Sequence, residues 1–180
     1  LKLLKNVIVL NTDNYYKTGI ISLLLSIFDD CYFDRKISFN EKLLKRDLKF
    51  ILESGESNHK YLYDFKKKSI KKVKKKESNI DYLIIEGIFT KYLLNNLDKY
   101  GYIHIELKID KKSCMDRVIK RDLEERGKNK NNAKKDFLKS WKLYYNNYYK
   151  KSTSVNSIEF TYTNKKDLNS LVKKVINLKI

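Results

Sequence analysis

Proline is absent from this sequence, cysteine occurs twice, and no apolar run is long. The two cysteines, Cys31 and Cys114, lie far apart and neither belongs to a C-x-x-C pair. A disulfide framework and a structural zinc site are therefore not indicated, and a reducing, cytoplasmic setting fits best. The most apolar segment, Ile20 to Phe28, is about half of the roughly 20 residues that a membrane-crossing helix needs. A membrane span is excluded and no membrane partner is expected. The chain begins at Leu1 with neither an initiator Met nor a signal-peptide pattern, so the expectation is that it starts inside a longer reading frame. Negative charge is in short supply: 22 acidic residues face 40 basic ones, a net charge of +18, which predicts attraction to phosphates of some kind. That charge is overwhelmingly lysine. Together with abundant Asn, Ile and Tyr and the missing proline it carries the bias of an AT-rich genome, so part of it is compositional drift. What is present in quantity is apolar surface, 42% of 180 residues, enough for one compact domain and too much for a disordered chain.

Residues Leu3 to Leu10 are rich in Val, Ile and Leu and end at Asn11-Thr12-Asp13-Asn14, which predicts a buried strand and a polar loop. Gly19 to Phe28 is apolar throughout and compatible with helix or strand. From Glu41 to Ser54 the residues Leu43, Leu44, Leu48, Ile51 and Leu52 recur with the helical period and Gly55 follows. An amphipathic helix with a left-handed glycine cap is predicted there. Tyr61 to Phe65 alternates as a strand does, and the Lys66 to Lys76 run, broken only by Ile70 and Val73 among apolar residues, makes a hairpin with an exposed basic arm over about 60–76. Asp81 to Ile85, closed by Glu86-Gly87, and Tyr102 to Leu107 are predicted as short strands, with helical stretches between and after them. Lys111 to Arg126 places Met115, Val118, Ile119 and Leu123 at helical spacing. The segment Gly127 to Asn132 breaks it, and an aromatic-rich helix, Ala133 to Lys150, follows. A strand, Ser157 to Tyr162, and a helix, Asp167 to Leu178, complete the chain. Strands alternating with helices imply an α/β fold, a mostly parallel sheet with helices on both faces, in a single domain over 1–180. Ligands of such sheets gather beyond the carboxyl ends of the strands, which singles out Asp13, Glu86 and Asp110.

Four segments then stand in order: Thr12-Asp13-Asn14-Tyr15-Tyr16-Lys17 after the first strand, Tyr63-Asp64-Phe65 before the basic hairpin arm, Ile84-Ile85-Glu86-Gly87-Ile88 at a strand end, and Lys120-Arg121-Asp122-Leu123-Glu124-Glu125-Arg126-Gly127-Lys128. In this order and at about this spacing they resemble the uridine kinase and phosphoribulokinase family of P-loop kinases, from about residue 6 to residue 163. The R-D-x-x-E-R-G segment is the most specific piece. The resemblance implies a P-loop NTPase-like fold, ATP and Mg²⁺, a lid over about 111–150, and transfer of the ATP γ-phosphoryl group to the 5′-hydroxyl of a nucleoside. Such transfer needs positioned charge more than covalent chemistry.

By the same resemblance Asp13 is the base toward the acceptor hydroxyl. Its alternative reading is an Asx turn or helix cap at a strand exit. Glu86 matches the acidic residue near the metal and phosphates; the alternative is a charge stabilised by a helix N-terminus. Arg117, Arg121 and Arg126 fall in the lid-like segment as phosphate ligands, Arg121 also as a catalytic residue, and Lys128 stands where the family usually has a further arginine. Arginine is rare in this lysine-dominated chain, and the planar guanidinium suits phosphate geometry. The competing reading is local i,i+4 pairing with Asp122, Glu124 and Glu125, most of all for Arg117. Tyr16, Asp34 and Tyr63 match acceptor-pocket positions, and Lys68 replaces a base-contacting histidine. Lysine donates hydrogen bonds and cannot accept them, which puts the identity of the acceptor in question. Tyr16 and Tyr63 are equally readable as core aromatics.

One family feature has no counterpart. A Walker A loop, G-x-x-x-x-G-K-[ST], cradles phosphates with backbone N–H groups, and none of Gly19, Gly55, Gly87, Gly101 or Gly127 stands in that pattern. Either the loop lies upstream of Leu1, the favoured expectation, or it has been lost. Two rival readings remain from other classes: a non-catalytic nucleic-acid-binding module, drawn from Lys66 to Lys76 and the aromatics Trp141 to Tyr149, and a non-catalytic relative kept for interaction. The helical spacing of the aromatics favours packing over nucleic acid. His59 and His104 attract no role.

Overall fold

The computed structural model describes residues 5–29, 31–93, 97, 100–146, 157–161 and 165–177, in two compact units, Leu1–Leu97 and Asp98–Ile180. In the first unit β1 (Val7–Asn11) is followed by a 3-10 turn (Thr12–Tyr15), α1 (Ile20–Phe28), two further 3-10 turns (Tyr32–Asp34 and Lys36–Ser38) and α2 (Glu41–Ser54). The hairpin of β2 (Ser57–Asp64) and β3 (Ser69–Glu77) and then β4 (Tyr82–Glu86) complete it, with a last 3-10 turn at Thr90–Leu93. β1 and β4 pair in parallel, from Val7 opposite Tyr82 to Asn11 opposite Glu86. β2 and β3 pair antiparallel, as the hairpin reading predicted.

Local chemistry explains where these elements start and stop. The Asn40 side chain accepts the Leu43 amide at the start of α2, and Gly55 ends it with φ 65°, a conformation that costs glycine no steric penalty. The apolar face of α2 then buries Leu44, Leu48 and Ile51. With Ile8 and Leu10 of β1, Tyr61 and Tyr63 of β2, and Phe89 and Leu93 beyond β4, these residues form the core; each fully buried large side chain contributes about 1.5–3 kcal/mol. Asp47, also on α2, is buried because its carboxylate is satisfied: the Tyr15 hydroxyl donates at 3.2 Å, His59 Nε2 lies at 3.3 Å and Arg46 pairs beside it. His59 therefore has a carboxylate partner that its isolation in sequence hid.

The segment left open between helix and strand is helical, and its orientation is inverted: Ser22 of α1 is buried while most of its apolar side chains face solvent.

In the second unit β5 (His104–Lys108) pairs in parallel with β6 (Ser157–Thr161), and α3 (Lys111–Arg126), α4 (Lys130–Tyr144) and α5 (Lys165–Asn177) accompany them. Asp110 caps α3, its side chain accepting the Ser113 amide at 2.9 Å; these contacts with Ser113 hold its carboxyl below the usual range. One of the three strand-exit acids is thus a helix cap. α4 starts three residues earlier than its apolar pattern suggested because Asn129 caps it. Expectations for residues 3–4, 147–150, 162 and 178 lie outside the described residues. The class is α/β, and two of the three described ladders are parallel. Among the described residues no helix is long and apolar enough to cross a membrane.

Candidate functional site

The ends of β1 and β4 arrive side by side, Asn11 opposite Glu86. Just beyond them the Gly87 backbone comes against the Thr12 side chain. Gly87 has φ 124°, and a Cβ there would fall on the Thr12 hydroxyl. Only glycine permits this approach. Thr12 is fully buried and its hydroxyl has no hydrogen-bond partner among the described residues. The contact fixes Asp13, one residue after Thr12, and Glu86, one residue before Gly87, on the same strand-end edge.

The capping role that Asp13 could have filled belongs to Asn11, whose Oδ1 accepts the Asp13 amide at 2.7 Å. The Asp13 carboxylate instead accepts a hydrogen bond from the Tyr16 hydroxyl at 3.2 Å. Glu86 keeps contact with solvent, yet partial burial and then the negative charge of Asp13 push its carboxyl above the usual carboxylate range. A carboxylate raised in this way by burial and an acidic neighbour is one that a nearby cation would relieve. Among the described residues no cluster of three or more acidic, histidine or cysteine side chains could hold a metal. Two carboxylates nevertheless fit Mg²⁺, which usually takes one or two from protein and the rest from water and phosphate oxygens. Glu86 is the residue that would hold it, with the Asp13 carboxylate beside it.

Beside this pair stands a wall of rings. Tyr16 packs edge-on against Tyr63 at 5.1 Å between centroids, Phe33 at 5.2 Å, Phe89 at 6.0 Å and Phe65 at 6.3 Å. The Tyr63 amide donates to Asn14 Oδ1 at 2.9 Å, which ties the hairpin to the turn carrying Asp13. The core reading of Tyr16 and Tyr63 holds, since they are 4% and 9% exposed, and it coexists with the hydroxyl contact to Asp13. Asp34 is half-buried and follows Phe33 on its 3-10 turn. Lys68 closes the β2–β3 turn in a left-handed conformation, φ 48°. Its Nζ donates to Ser26 Oγ of α1 at 2.9 Å and lies 5.8 Å from the Phe33 ring centre. Phe33, Phe65 and Phe89 were missed in sequence; the Phe of Tyr-Asp-Phe was the available signal.

The basic candidates lie in the second unit and converge on a carboxylate that the sequence reading treated only as a surface partner. Asp122, with its side chain 3% exposed, receives Arg121 at 2.9 Å, Lys128 at 3.2 Å and Arg126 at 3.5 Å. Lys128 also pairs with Asp136 at 2.8 Å. Burial alone would raise the Asp122 carboxyl, but the Arg121 hydrogen bond and the charges of Arg126 and Lys128 outweigh it and hold Asp122 below the usual range. Local pairing, allowed chiefly for Arg117, is found at Arg121 and Arg126; Arg117 is exposed and forms no ion pair among the described residues. The three tethered cations present a fixed positive cluster able to meet phosphate oxygens.

Comparison with known proteins bears on both units. The Phosphoribulokinase / Uridine kinase family matches residues 29–179. That span takes in Asp34, Tyr63, Lys68, Glu86 and the basic cluster, starts beyond Asp13 and Tyr16, and reaches further toward the C-terminus than the resemblance expected. Among solved structures, a protein of Silicibacter sp. TM1040 provisionally assigned as a fructose transport system kinase is similar, with a TM-score of 0.59 and 16% identity over 87% of this chain and 75% of that one. At this identity the likeness is one of fold. No curated protein matches significantly.

Proposed function

We infer the function from one established premise: this chain belongs to the phosphoribulokinase / uridine kinase family. It is a kinase of that type, acting on a small molecule. The finer reading is transfer of the γ-phosphoryl group of ATP to the 5′-hydroxyl of a nucleoside or a related alcohol. The observation that supports it most is the carboxylate pair at the ends of two paired parallel strands, Asp13 with the Tyr16 hydroxyl on it and Glu86 raised by its neighbourhood. The acceptor oxygen bonds to the γ-phosphorus, the bond from that phosphorus to its bridging oxygen breaks, ADP leaves with the electron pair, and the acceptor proton passes to Asp13. Tyr16 orients the Asp13 carboxylate by its hydrogen bond. Glu86 would hold Mg²⁺, which would supply neutralisation of the phosphate charge. Arg117, Arg121, Arg126 and Lys128 are assigned to phosphate oxygens, with Arg121 on the migrating group. Tyr63, Asp34 and Lys68 are assigned to the acceptor, Tyr63 against its base and Asp34 on ribose hydroxyls. Gly55 and Gly127 end helices and Gly87 packs on Thr12, so none of these three serves as a backbone cradle for the donor phosphates.

The test is ADP release across a panel of nucleosides and sugar alcohols, with the chain and with Asp13→Asn. Turnover on at least one nucleoside, reduced about 100-fold or more in the variant with unchanged thermal unfolding, is expected. Equal turnover by the variant refutes the assignment, as does the absence of both turnover and nucleoside binding by the unmodified chain; nucleoside binding without turnover is the outcome for a chain that lacks the donor-phosphate loop.

A further inference from the structure

Helix α1 is built inside out. Ser22 and Ser26, four residues apart and so on one face, point into the protein. Ser22 is 8% exposed, accepts the Tyr32 hydroxyl at 3.0 Å and donates to the Lys17 carbonyl at 2.8 Å; Ser26 accepts Lys68 Nζ at 2.9 Å. The other faces carry Ile20, Ile21, Ile27 and Phe28 at 78%, 76%, 63% and 85% exposure. Rolling the helix to bury them would separate both serines from their partners, so the polar contacts hold the apolar face outward. Such a contiguous exposed patch marks an interaction surface.

The charges around α1 identify the occupant. Lys68 touches the helix, Lys66 and Lys67 are exposed beside it on the β2–β3 turn, and Lys17 is exposed just before the helix. Among the described residues the acids nearest in sequence are engaged: Asp29 pairs with Arg35 at 2.7 Å, and Asp64 accepts the amides of Lys66 and Lys67 at 2.9 Å each. A second copy would bring lysines against lysines on a chain of net charge +18. Nucleic acid would meet the lysines and leave the isoleucines and Phe28 in water. An anionic phospholipid surface satisfies both. The nine residues of α1 are too short to span a bilayer and suited to lying in its interface.

We propose that α1 and the β2–β3 turn seat this protein on an anionic lipid surface, with the apolar side chains of α1 at the headgroup–acyl boundary and Lys66 and Lys67 on lipid phosphates. The sequence excluded a span and gave no reason to expect surface attachment, because it could not show which face of the helix is outward. The experiment is co-sedimentation of the full chain with vesicles of phosphatidylserine and phosphatidylcholine, and with phosphatidylcholine alone. Two lysines predict roughly 30-fold stronger partitioning onto the anionic vesicles. Ile21→Ser with Phe28→Ser should reduce it about tenfold or more without shifting thermal unfolding, and Lys66→Gln with Lys67→Gln should remove the preference for phosphatidylserine. The proposal is overturned by wild-type vesicle binding in the serine variant or by equal binding to both vesicle types. It is also overturned if the chain binds only an RNA oligonucleotide, or if the serine variant breaks a self-associated species in a chain that ignores vesicles.

Discussion

Asp122→Asn should destabilise the protein by about 2 kcal/mol. The side chain is 3% exposed and receives Arg121, Arg126 and Lys128 within 3.5 Å. Removing one member of a buried ion pair typically costs about 3–5 kcal/mol, because the charge left behind is uncompensated. Here the partners are 41%, 22% and 33% exposed, so water takes over part of the lost interaction, and Lys128 retains Asp136. Two kcal/mol in a chain of this size lowers the midpoint of thermal unfolding by about 4–8 °C, readable by circular dichroism. The pH dependence separates a charge effect from a packing effect. Asp122 has a depressed carboxyl, so its contribution is complete above the ordinary unfolded value near about 4 and is lost as pH falls through the native value. The gap between wild type and variant should therefore close as pH falls through that native value. Lys128 is raised above its ordinary value of 10.5, with the pairing to Asp136 and Asp122 overcoming burial; its contribution is complete below that value and is lost only as pH rises through the native one. A gap of the same size at neutral and acid pH would refute an electrostatic role for Asp122.

Two other substitutions probe the strand-end edge. Because the Glu86 carboxyl is raised in the folded state, its stabilising contribution is complete below the unfolded value and lost as pH rises through the native one. Ionised Glu86 therefore opposes folding at neutral pH. Glu86→Gln should leave the unfolding midpoint equal or higher while weakening Mg-ATP binding by about tenfold in calorimetry, and a lower midpoint would contradict the pairing with Asp13. Gly87→Ala places a methyl group on the Thr12 hydroxyl at φ 124° and should cost about 2–4 kcal/mol in urea unfolding. Gly55→Ala, at φ 65° with open space around it, should cost only about 1 kcal/mol; equal costs would mean that the close approach of the two strand ends carries no stability.

The elements that sequence predicts well are those whose ends carry their own chemistry. α2 ends at Gly55 and α3 at Gly127, both left-handed, and both helices were located to the residue because apolar period and cap agree. The hairpin was legible from its alternation. α1 was not, since Ile20 to Phe28 is apolar on nearly every face and periodicity then specifies neither helix nor strand. Its two serines were the only polar mark, and reading them as the inward face needs Tyr32 and Lys68, which are distant in sequence. The same limit hid the pairing of Asp47 with His59, twelve residues away across a helix cap and a strand.

The site divides along the same line. Asp13 and Glu86 could be singled out in sequence because each stands at a predicted strand exit, whereas their closeness depends on the parallel register of β1 with β4 and on Gly87 touching Thr12, which no local pattern encodes. The lid-like motif holds its explanation within itself. Arg121 precedes Asp122 by one residue, Arg126 follows it by four, one helical turn on, and Lys128 follows by six, beyond the helix. Lys128 reaches Asp122 because Gly127 reverses the chain at φ 67° and the Lys128 amide then donates to the Asp122 carbonyl at 3.1 Å. The segment Arg121-Asp122 to Arg126-Gly127-Lys128 is thus a helix stop that folds three cations onto one buried carboxylate. Its specificity as a motif has a structural cause: a lysine at Arg121 could not place both Nε and Nη2 on the same carboxylate oxygen, as the guanidinium does at 3.2 and 2.9 Å, and any residue but glycine at 127 would resist the turn that returns Lys128.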